Sequence, residues 1–111
     1  MKGPNPSFLN GVPELLVLRL LARREMYGYE IVREIQLQTK EAFAFGEGCI
    51  YPYLHYFEAE KLVNSRQRDV NGRSRYYYQL TARGQKRLEA LTAEWQREAQ
   101  GVALIMGGEH V

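Results

Sequence analysis

The sequence contains one cysteine and four prolines, and no apolar run approaches the roughly 20 residues that cross a bilayer. A single cysteine excludes an internal disulfide, and the first residues lack the apolar stretch of a signal peptide. Neither His55 nor His110 has a cysteine or histidine partner at metal-ligand spacing. No glycine-rich phosphate loop or nucleophile motif is present. The sequence therefore predicts a cytoplasmic protein with no membrane partner, no metal, no cofactor and no enzymatic activity.

Positive charge is concentrated in one part of the chain. The net charge of the 111 residues is only +2, and residues 1–61 hold seven basic and eight acidic side chains. Between Leu62 and Leu88, by contrast, seven lysines and arginines stand against one acid, Asp69. Such a cluster is typical of a phosphate-binding surface, and a solvated arginine face is an equally good explanation.

The first half of the chain has the apolar spacing of helices. The predicted segments are a loose arm over residues 1–12, helices over Pro13–Arg23, about Tyr29–Gln38 and about Ile50–Glu60, a break at residues 26–28 and a turn over residues 42–48. Leucines wrap most of the way round the first helix, which indicates cover from more than one side. Ile50, Leu54 and Phe57 define the buried face of the third helix.

The period changes after Leu62. Residues 62–70 and 73–80 have the pattern of two short strands, and Asn71-Gly72 between them is the strongest short hairpin signal. Thr81 is the expected N-cap of a last helix, and nothing else in the chain is left to cover its long apolar stripe. The order predicts a mainly α fold with a small β-hairpin, which is a winged helix-turn-helix with a three-helix core, a two-stranded wing and a C-terminal dimerisation helix.

If Asn71-Gly72 is a two-residue turn, it fixes which wing residues face each other, whereas a longer loop would change the pairing. Arg68 then lies opposite Arg75, and Arg66 lies opposite Tyr77. Strand alternation places Arg66, Arg68, Arg75 and Tyr77 on one face and directs Tyr76, Tyr78 and Leu80 toward the core. Two arginines directly opposite each other destabilise an isolated hairpin. A nucleic-acid backbone across them would remove that penalty, and the alternative is that their side chains splay into water.

Three other positions allow two interpretations each. Tyr53 and Tyr56, beside Pro52 on the outer face of the third helix, either contact phosphates and bases or pack against neighbouring elements. Cys49, at or near the N-cap of that helix, is either a redox sensor or a small cap residue. Trp95 lies on the stripe of the last helix and belongs either to a dimer core or to the wall of a small-molecule pocket.

Three blocks of the sequence resemble a known family. Tyr27-Gly28-Tyr29-Glu30-Ile31 is similar to H-G-Y-E-I, residues 47–58 to E-G-S-L-Y-P-A-L-H-R-L-E, and residues 72–84 to G-R-R-R-K-Y-Y-R-L-T-E-K-G. These are blocks of the PadR family of transcription regulators, and the resemblance extends over about residues 14–95. The chain departs from the family pattern at four positions. Tyr27 stands where the family has histidine, Cys49 where it has serine or threonine, Tyr56 where it has a basic residue and Lys61 where it has glycine.

The resemblance implies a homodimer that binds double-stranded DNA at an inverted repeat, usually as a repressor, with a DNA-binding domain over residues 13–80 and a dimerisation helix and tail over residues 81–111. It also implies a planar hydrophobic or phenolic effector near Trp95. The alternative is a ligand-binding or protein-interaction module with the same fold and no specific DNA readout. The expected DNA contacts are Cys49, Tyr51, Pro52, Tyr53, Tyr56, Arg66, Arg68, Arg73, Arg75 and Tyr77. The expected dimer contacts are Leu15, Leu18, Leu88, Leu91, Trp95 and Val102.

Overall fold

The structure is a computed structural model that describes residues 11–107. Its elements are α1 (Gly11–Arg23), β1 (Met26–Tyr27), α2 (Gly28–Gln38), α3 (Glu47–Ala59), β2 (Val63–Val70), β3 (Arg73–Leu80) and α4 (Ala82–Met106). The three strands form one antiparallel sheet in the order β1-β3-β2. Three helices, a two-stranded wing formed by β2 and β3, and a long last helix confirm the predicted winged helix-turn-helix.

Several boundaries differ from the prediction. α1 begins at Gly11 rather than Pro13, so the predicted arm loses its last two residues to the helix, and the rest of that arm lies outside the described residues. α3 begins at Glu47, so the preceding turn ends earlier than residue 48. Gly107 ends α4 in a left-handed conformation with φ of 118°, which glycine adopts without strain. Residues 108–111 of the predicted tail also lie outside the described part.

The core lies between the three first helices, the sheet and the beginning of α4. Ile50, Leu54 and Phe57 of α3 are fully buried, as their spacing predicts. Ile31 and Ile35 of α2 meet them from the neighbouring helix. Because α2 and α3 share this apolar contact, the opposite face of α3 is left toward solvent.

The wing has the predicted register. Asn71 and Gly72 have φ of 53° and 76°, the left-handed pair that a type I′ turn requires. Arg68 pairs with Arg75, and Arg66 pairs with Tyr77. The first two helices are separated near the predicted break at residues 26–28, but residues 26 and 27 form the unpredicted strand β1, which pairs with β3, and Gly28 already begins α2.

The turn between α3 and β2 places Lys61 in the left-handed region, with φ of 62°. This is the position where the resembled family has glycine. The turn closes with a hydrogen bond from the Leu62 N–H to the Phe57 carbonyl, at 2.8 Å. A lysine pays a steric penalty in this conformation, and the buried Leu62 and Val63 that follow hold the turn in place.

α4 rests on α1 over its first half. Leu88 and Leu91 of α4 are buried in the chain's own core together with Leu18 of α1. The expectation that no other part of the chain covers the α4 stripe is therefore wrong for its first half, which α1 covers. Leu18, Leu88 and Leu91 belong to the core of one chain and not to the expected dimer contacts. Beyond Trp95 the stripe is uncovered: Val102 is 58% and Ile105 86% exposed.

An ion pair between a buried glutamate and an exposed arginine joins the same two helices. Glu14 of α1 accepts hydrogen bonds from Nε and a terminal nitrogen of Arg87, at 3.0 and 3.4 Å. Removal of Arg87 would leave the buried Glu14 carboxylate without its partner, so this contact helps to fix how α4 lies on α1. Within residues 11–107, no helix combines the length and the apolar character of a bilayer-spanning segment.

Candidate nucleic-acid interface

One carboxylate holds two of the wing arginines. Glu25, between α1 and β1, accepts hydrogen bonds from Nε and a terminal nitrogen of Arg66, at 3.2 and 2.8 Å. A nitrogen of Arg68 donates to the same carboxylate at 3.1 Å. The hydrogen bond from Arg66 holds the pKa of Glu25 below its ordinary value. Glu25 thus ties the base of the wing to the body of the protein.

The opposed arginines each lie over a tyrosine ring. The Arg68 guanidinium is 4.4 Å from the ring centroid of Tyr77, and that of Arg75 is 4.3 Å from the ring centroid of Tyr27. Cation–π contact holds the two side chains in place, and Glu25 compensates the charge of Arg68. The sequence argument that this pair needs a polyanion for compensation is therefore wrong, because the chain supplies a carboxylate itself.

Two wing cations remain available to an anion. Among the described residues, no carboxylate lies within ion-pair distance of Arg73 or Arg75. Arg73 is exposed beside the turn, and Arg75 is partly exposed two residues further along β3. The wing cations without a carboxylate partner therefore lie toward its tip, where Asp69 is also exposed, rather than at its base.

The tyrosines of β3 differ from the prediction in exposure. Tyr77, expected on the DNA side, is only 8% exposed, because it packs against Tyr27 and lies under Arg68. Tyr76, expected in the core, is 58% exposed. β1 covers β3 only at Tyr77 and Tyr78, so the two-stranded part of the wing that begins at Tyr76 has no third strand beside it. Tyr78 is buried as predicted.

α3 presents a short polar surface that starts at an open helix end. Its N-cap is Gly46, which has no side chain to occupy the first N–H groups, and such an end attracts phosphate. Cys49 is the third residue of the helix rather than its cap and is half-buried. Pro52 and Tyr56 are exposed on the outer face, whereas Tyr53 is half-buried against the core.

The half-buried tyrosines of α3 are neutral hydrogen-bond donors. Burial raises the pKa of Tyr51 and of Tyr53 above the ordinary phenol value. The tip of the Tyr51 ring lies against Gly28, where an added Cβ would be 2.5 Å from its hydroxyl oxygen. The absent side chain of Gly28 therefore makes room for Tyr51 at the first turn of α2.

A separate cavity lies beside Trp95. It has a volume of about 140 Å³ between the start of α1 and the middle of α4. Its lining includes the apolar side chains of Leu15, Leu91 and Trp95 and the acidic side chains of Glu94 and Glu98. The described residues contain no cluster of three or more histidine, cysteine, aspartate or glutamate side chains that suits a metal.

The sequence of this chain matches a family model, described as the transcriptional regulator PadR-like family, over residues 17–90. The chain belongs to the PadR-like family. It is 29% identical over 103 residues to the transcriptional regulator Rv3488 of Mycobacterium tuberculosis, which covers 93% of this chain and 91% of that protein. An uncharacterized protein of Lysinibacillus sphaericus is 31% identical over 103 residues, 92% of this chain and 94% of its own.

Solved structures of PadR-like regulators have the same fold. A PadR-like transcriptional regulator from Bacillus cereus is 30% identical with a TM-score of 0.79, over 93% of this chain and 99% of that one. A PadR family transcription regulator from Clostridium difficile is 29% identical with a TM-score of 0.73, over 86% of this chain and 98% of that one. This is a family of transcriptional regulators and not of enzymes, and DNA binding is implied for its members.

Proposed function

We propose that this protein is a ligand-responsive repressor that binds an inverted-repeat operator as a homodimer in the cytoplasm. Family membership supports the regulatory role, and the free cations at the wing tip carry the proposal for the contact with DNA. In this arrangement the α3 helices of the two subunits lie in successive major grooves, about 34 Å apart. Residues 13–80 form the DNA-binding unit, and residues 81–111 serve dimerisation.

α3 is the reading helix in this proposal. It has no lysine or arginine, so bidentate recognition of guanine from this helix is not available. Tyr56 and Pro52 instead offer a hydroxyl group and apolar surface to base edges, thymine methyl groups and sugars. The N–H groups of Glu47 and Gly48, which precede Cys49 in the first turn, are donors for a backbone phosphate. Tyr53 supports the helix from its half-buried position.

The wing contributes phosphate contacts from its tip. Arg73 and Arg75 bind flanking phosphates, because they carry charge without a carboxylate partner among the described residues. Arg66 and Arg68 hold the wing on Glu25 and add only a weaker field. Tyr77 acts as the support under Arg68 rather than as a contact with DNA.

Dimerisation covers the second half of α4. Trp95, Val102 and the apolar residues near the end of the helix are exposed in one chain, and such a contiguous apolar face marks an interaction surface. Leu15, half-buried on α1, extends the same surface beside Trp95. A second α4 is the natural cover in a symmetric pair, because an isologous interface brings the same face of each subunit together.

The cavity beside Trp95 is the proposed effector site. An indole wall and the apolar Leu15 and Leu91 suit a planar hydrophobic or phenolic compound. Because the cavity lies where α4 leaves the core, a ligand bound there alters the angle between the DNA-binding domains of the two subunits. Quenching of Trp95 fluorescence by a panel of planar aromatic compounds tests this site, and no response from any of them contradicts it.

Selection of bound sequences from random duplexes tests the proposed function. We expect an inverted repeat, and loss of one phosphate contact per subunit in Arg73→Ala or Arg75→Ala should flatten the salt dependence by about 0.9 in log–log slope per contact. Arg97→Ala removes the same charge from the exposed surface of α4 and is the matched control. No enrichment, with weak and sequence-indifferent binding at low salt, refutes the proposal and favours the interaction module.

A further inference from the structure

A groove of about 330 Å³ runs between α3 and the wing. Its lining includes Tyr51 and His55 of α3, Ser74, Arg75 and Tyr76 of β3, and Tyr27 of β1. We call it the tyrosine groove. It lies between the exposed face of α3 and the wing tip. A DNA strand that contacts both of these surfaces would therefore pass over it.

The chemistry of the tyrosine groove suits an anion with several acceptor oxygens. It offers the hydroxyl groups of Tyr51, Tyr76 and Ser74, and none of the described residues that line it carries a carboxylate. Burial raises the pKa of Tyr51, so its phenol stays protonated and donates a hydrogen bond at neutral pH. Aromatic faces beside these donors are suited to contact with a sugar ring.

Arg75 supplies the positive charge at the edge of this groove. Its guanidinium lies over the ring of Tyr27, 4.3 Å from the centroid, which restricts the side chain before any ligand arrives. Its cross-strand neighbour Arg68 has the same stacked arrangement over Tyr77 and is also held by Glu25. Arg75, which borders the tyrosine groove, is thus the stacked arginine that has no carboxylate partner among the described residues.

We infer that the tyrosine groove holds one backbone phosphate of the bound DNA strand together with its deoxyribose. Arg75 provides the charge, and Tyr51 and Tyr76 donate hydrogen bonds to the phosphate oxygens. Charge-assisted hydrogen bonds of this kind are the strong ones. The inference rests on the proposed function, because it assigns one contact within the same protein–DNA complex. It makes Tyr76 a contact residue.

Tyr76→Phe tests this inference, since it removes one hydroxyl group from an exposed position. With the duplex recovered by selection, we expect an affinity loss of about ten-fold per half-site, the scale of one hydrogen bond to a charged group. Tyr29→Phe removes the same group from an exposed tyrosine of α2 that does not line the groove. We expect no measurable change for this control.

A scan of single methylphosphonate substitutions in the duplex then locates the phosphate. One position per half-site should weaken binding of the unmodified protein and have a much smaller effect on Tyr76→Phe, because both changes remove the same contact. If the protein binds its selected duplex and no position shows this coupling, the tyrosine groove does not hold a phosphate and the proposed function stands. If the unmodified protein selects no duplex, both proposals fall.

Discussion

At Gly84, a single added methyl group should disrupt the packing of α4 against the rest of the fold. A Cβ added there would lie 2.1 Å from the Leu62 carbonyl oxygen and 2.7 Å from Cδ1 of Leu80. The first of these atoms is backbone and cannot swing aside. Gly84→Ala must therefore move the first turn of α4 away from the turn that leads into β2, by more than 1 Å according to ordinary contact distances.

The cost of this movement follows from what the joint contains. Overpacking costs about 1–3 kcal/mol, and the hydrogen bond from the Thr81 N–H to the Leu62 carbonyl, 3.0 Å long, contributes about 1 kcal/mol more. Replacing glycine within a helix returns about 1 kcal/mol. We therefore expect Gly84→Ala to lower the free energy of unfolding by about 1–3 kcal/mol.

Gly101→Ala is the matched control in the same helix. Nothing lies within 4 Å of a Cβ at Gly101, so this variant gains the helix propensity of alanine, about 1 kcal/mol, without a clash. Urea unfolding followed by circular dichroism, at one fixed protein concentration because association adds to apparent stability, should separate the two variants by about 2–4 kcal/mol. Equal urea midpoints for Gly84→Ala and Gly101→Ala would refute the packing argument.

Four further variants address the wing, the groove and the proposed dimer. Glu25→Gln should steepen the salt dependence of DNA binding by freeing Arg66. In the folded protein the pKa of the Glu25 carboxyl should lie below its reference value of 4.5. The stabilisation from its contact with Arg66 is therefore fully present above the unfolded-state pKa and is lost as the pH falls through the folded-state pKa. NMR titration of Glu25 in Arg66→Ala and in the unmodified protein checks this shift. Gly28→Ala should displace Tyr51 and weaken operator binding, measured by fluorescence anisotropy, while circular dichroism stays unchanged. Val102→Asp should give a monomer in analytical ultracentrifugation, and a persistent dimer would place the interface elsewhere.

Local chemistry explains what could be predicted from the sequence. The wing register follows from Asn71-Gly72, because only a two-residue turn with two left-handed positions matches that pair. The buried face of α3 follows from the spacing of its apolar residues, and the cap of α4 follows from Thr81, whose side chain accepts a hydrogen bond from the Gly84 N–H at 3.0 Å. Each of these features depends on neighbours a few residues apart.

The failures all involve partners distant in sequence. Strand alternation correctly gives the face on which Tyr76 lies, but not that β1 stops short of covering it. A two-residue strand has no measurable period, so β1 could not be predicted. Glu25 is 41 residues from Arg66 in the chain, and an isolated acid between a helix and a strand gives no local sign of its partner. The sequence pattern predicts Leu88 as a dimer contact because nothing local shows that α1 packs against it.

The ion pairs also limit how steeply salt can weaken DNA binding. Of the seven cations between residues 62 and 88, the described structure pairs Arg66 and Arg68 with Glu25 and Arg87 with Glu14. Four are left without a carboxylate in each subunit. If this segment supplies all the phosphate contacts, a dimer with eight such cations should show a log–log salt slope no steeper than about −7, at about −0.9 per phosphate contact. A steeper slope would mean either that DNA contacts cations outside residues 62–88 or that it takes arginines away from Glu25 or Glu14, and if Glu25 gives up its arginines, Glu25→Gln would leave the slope unchanged.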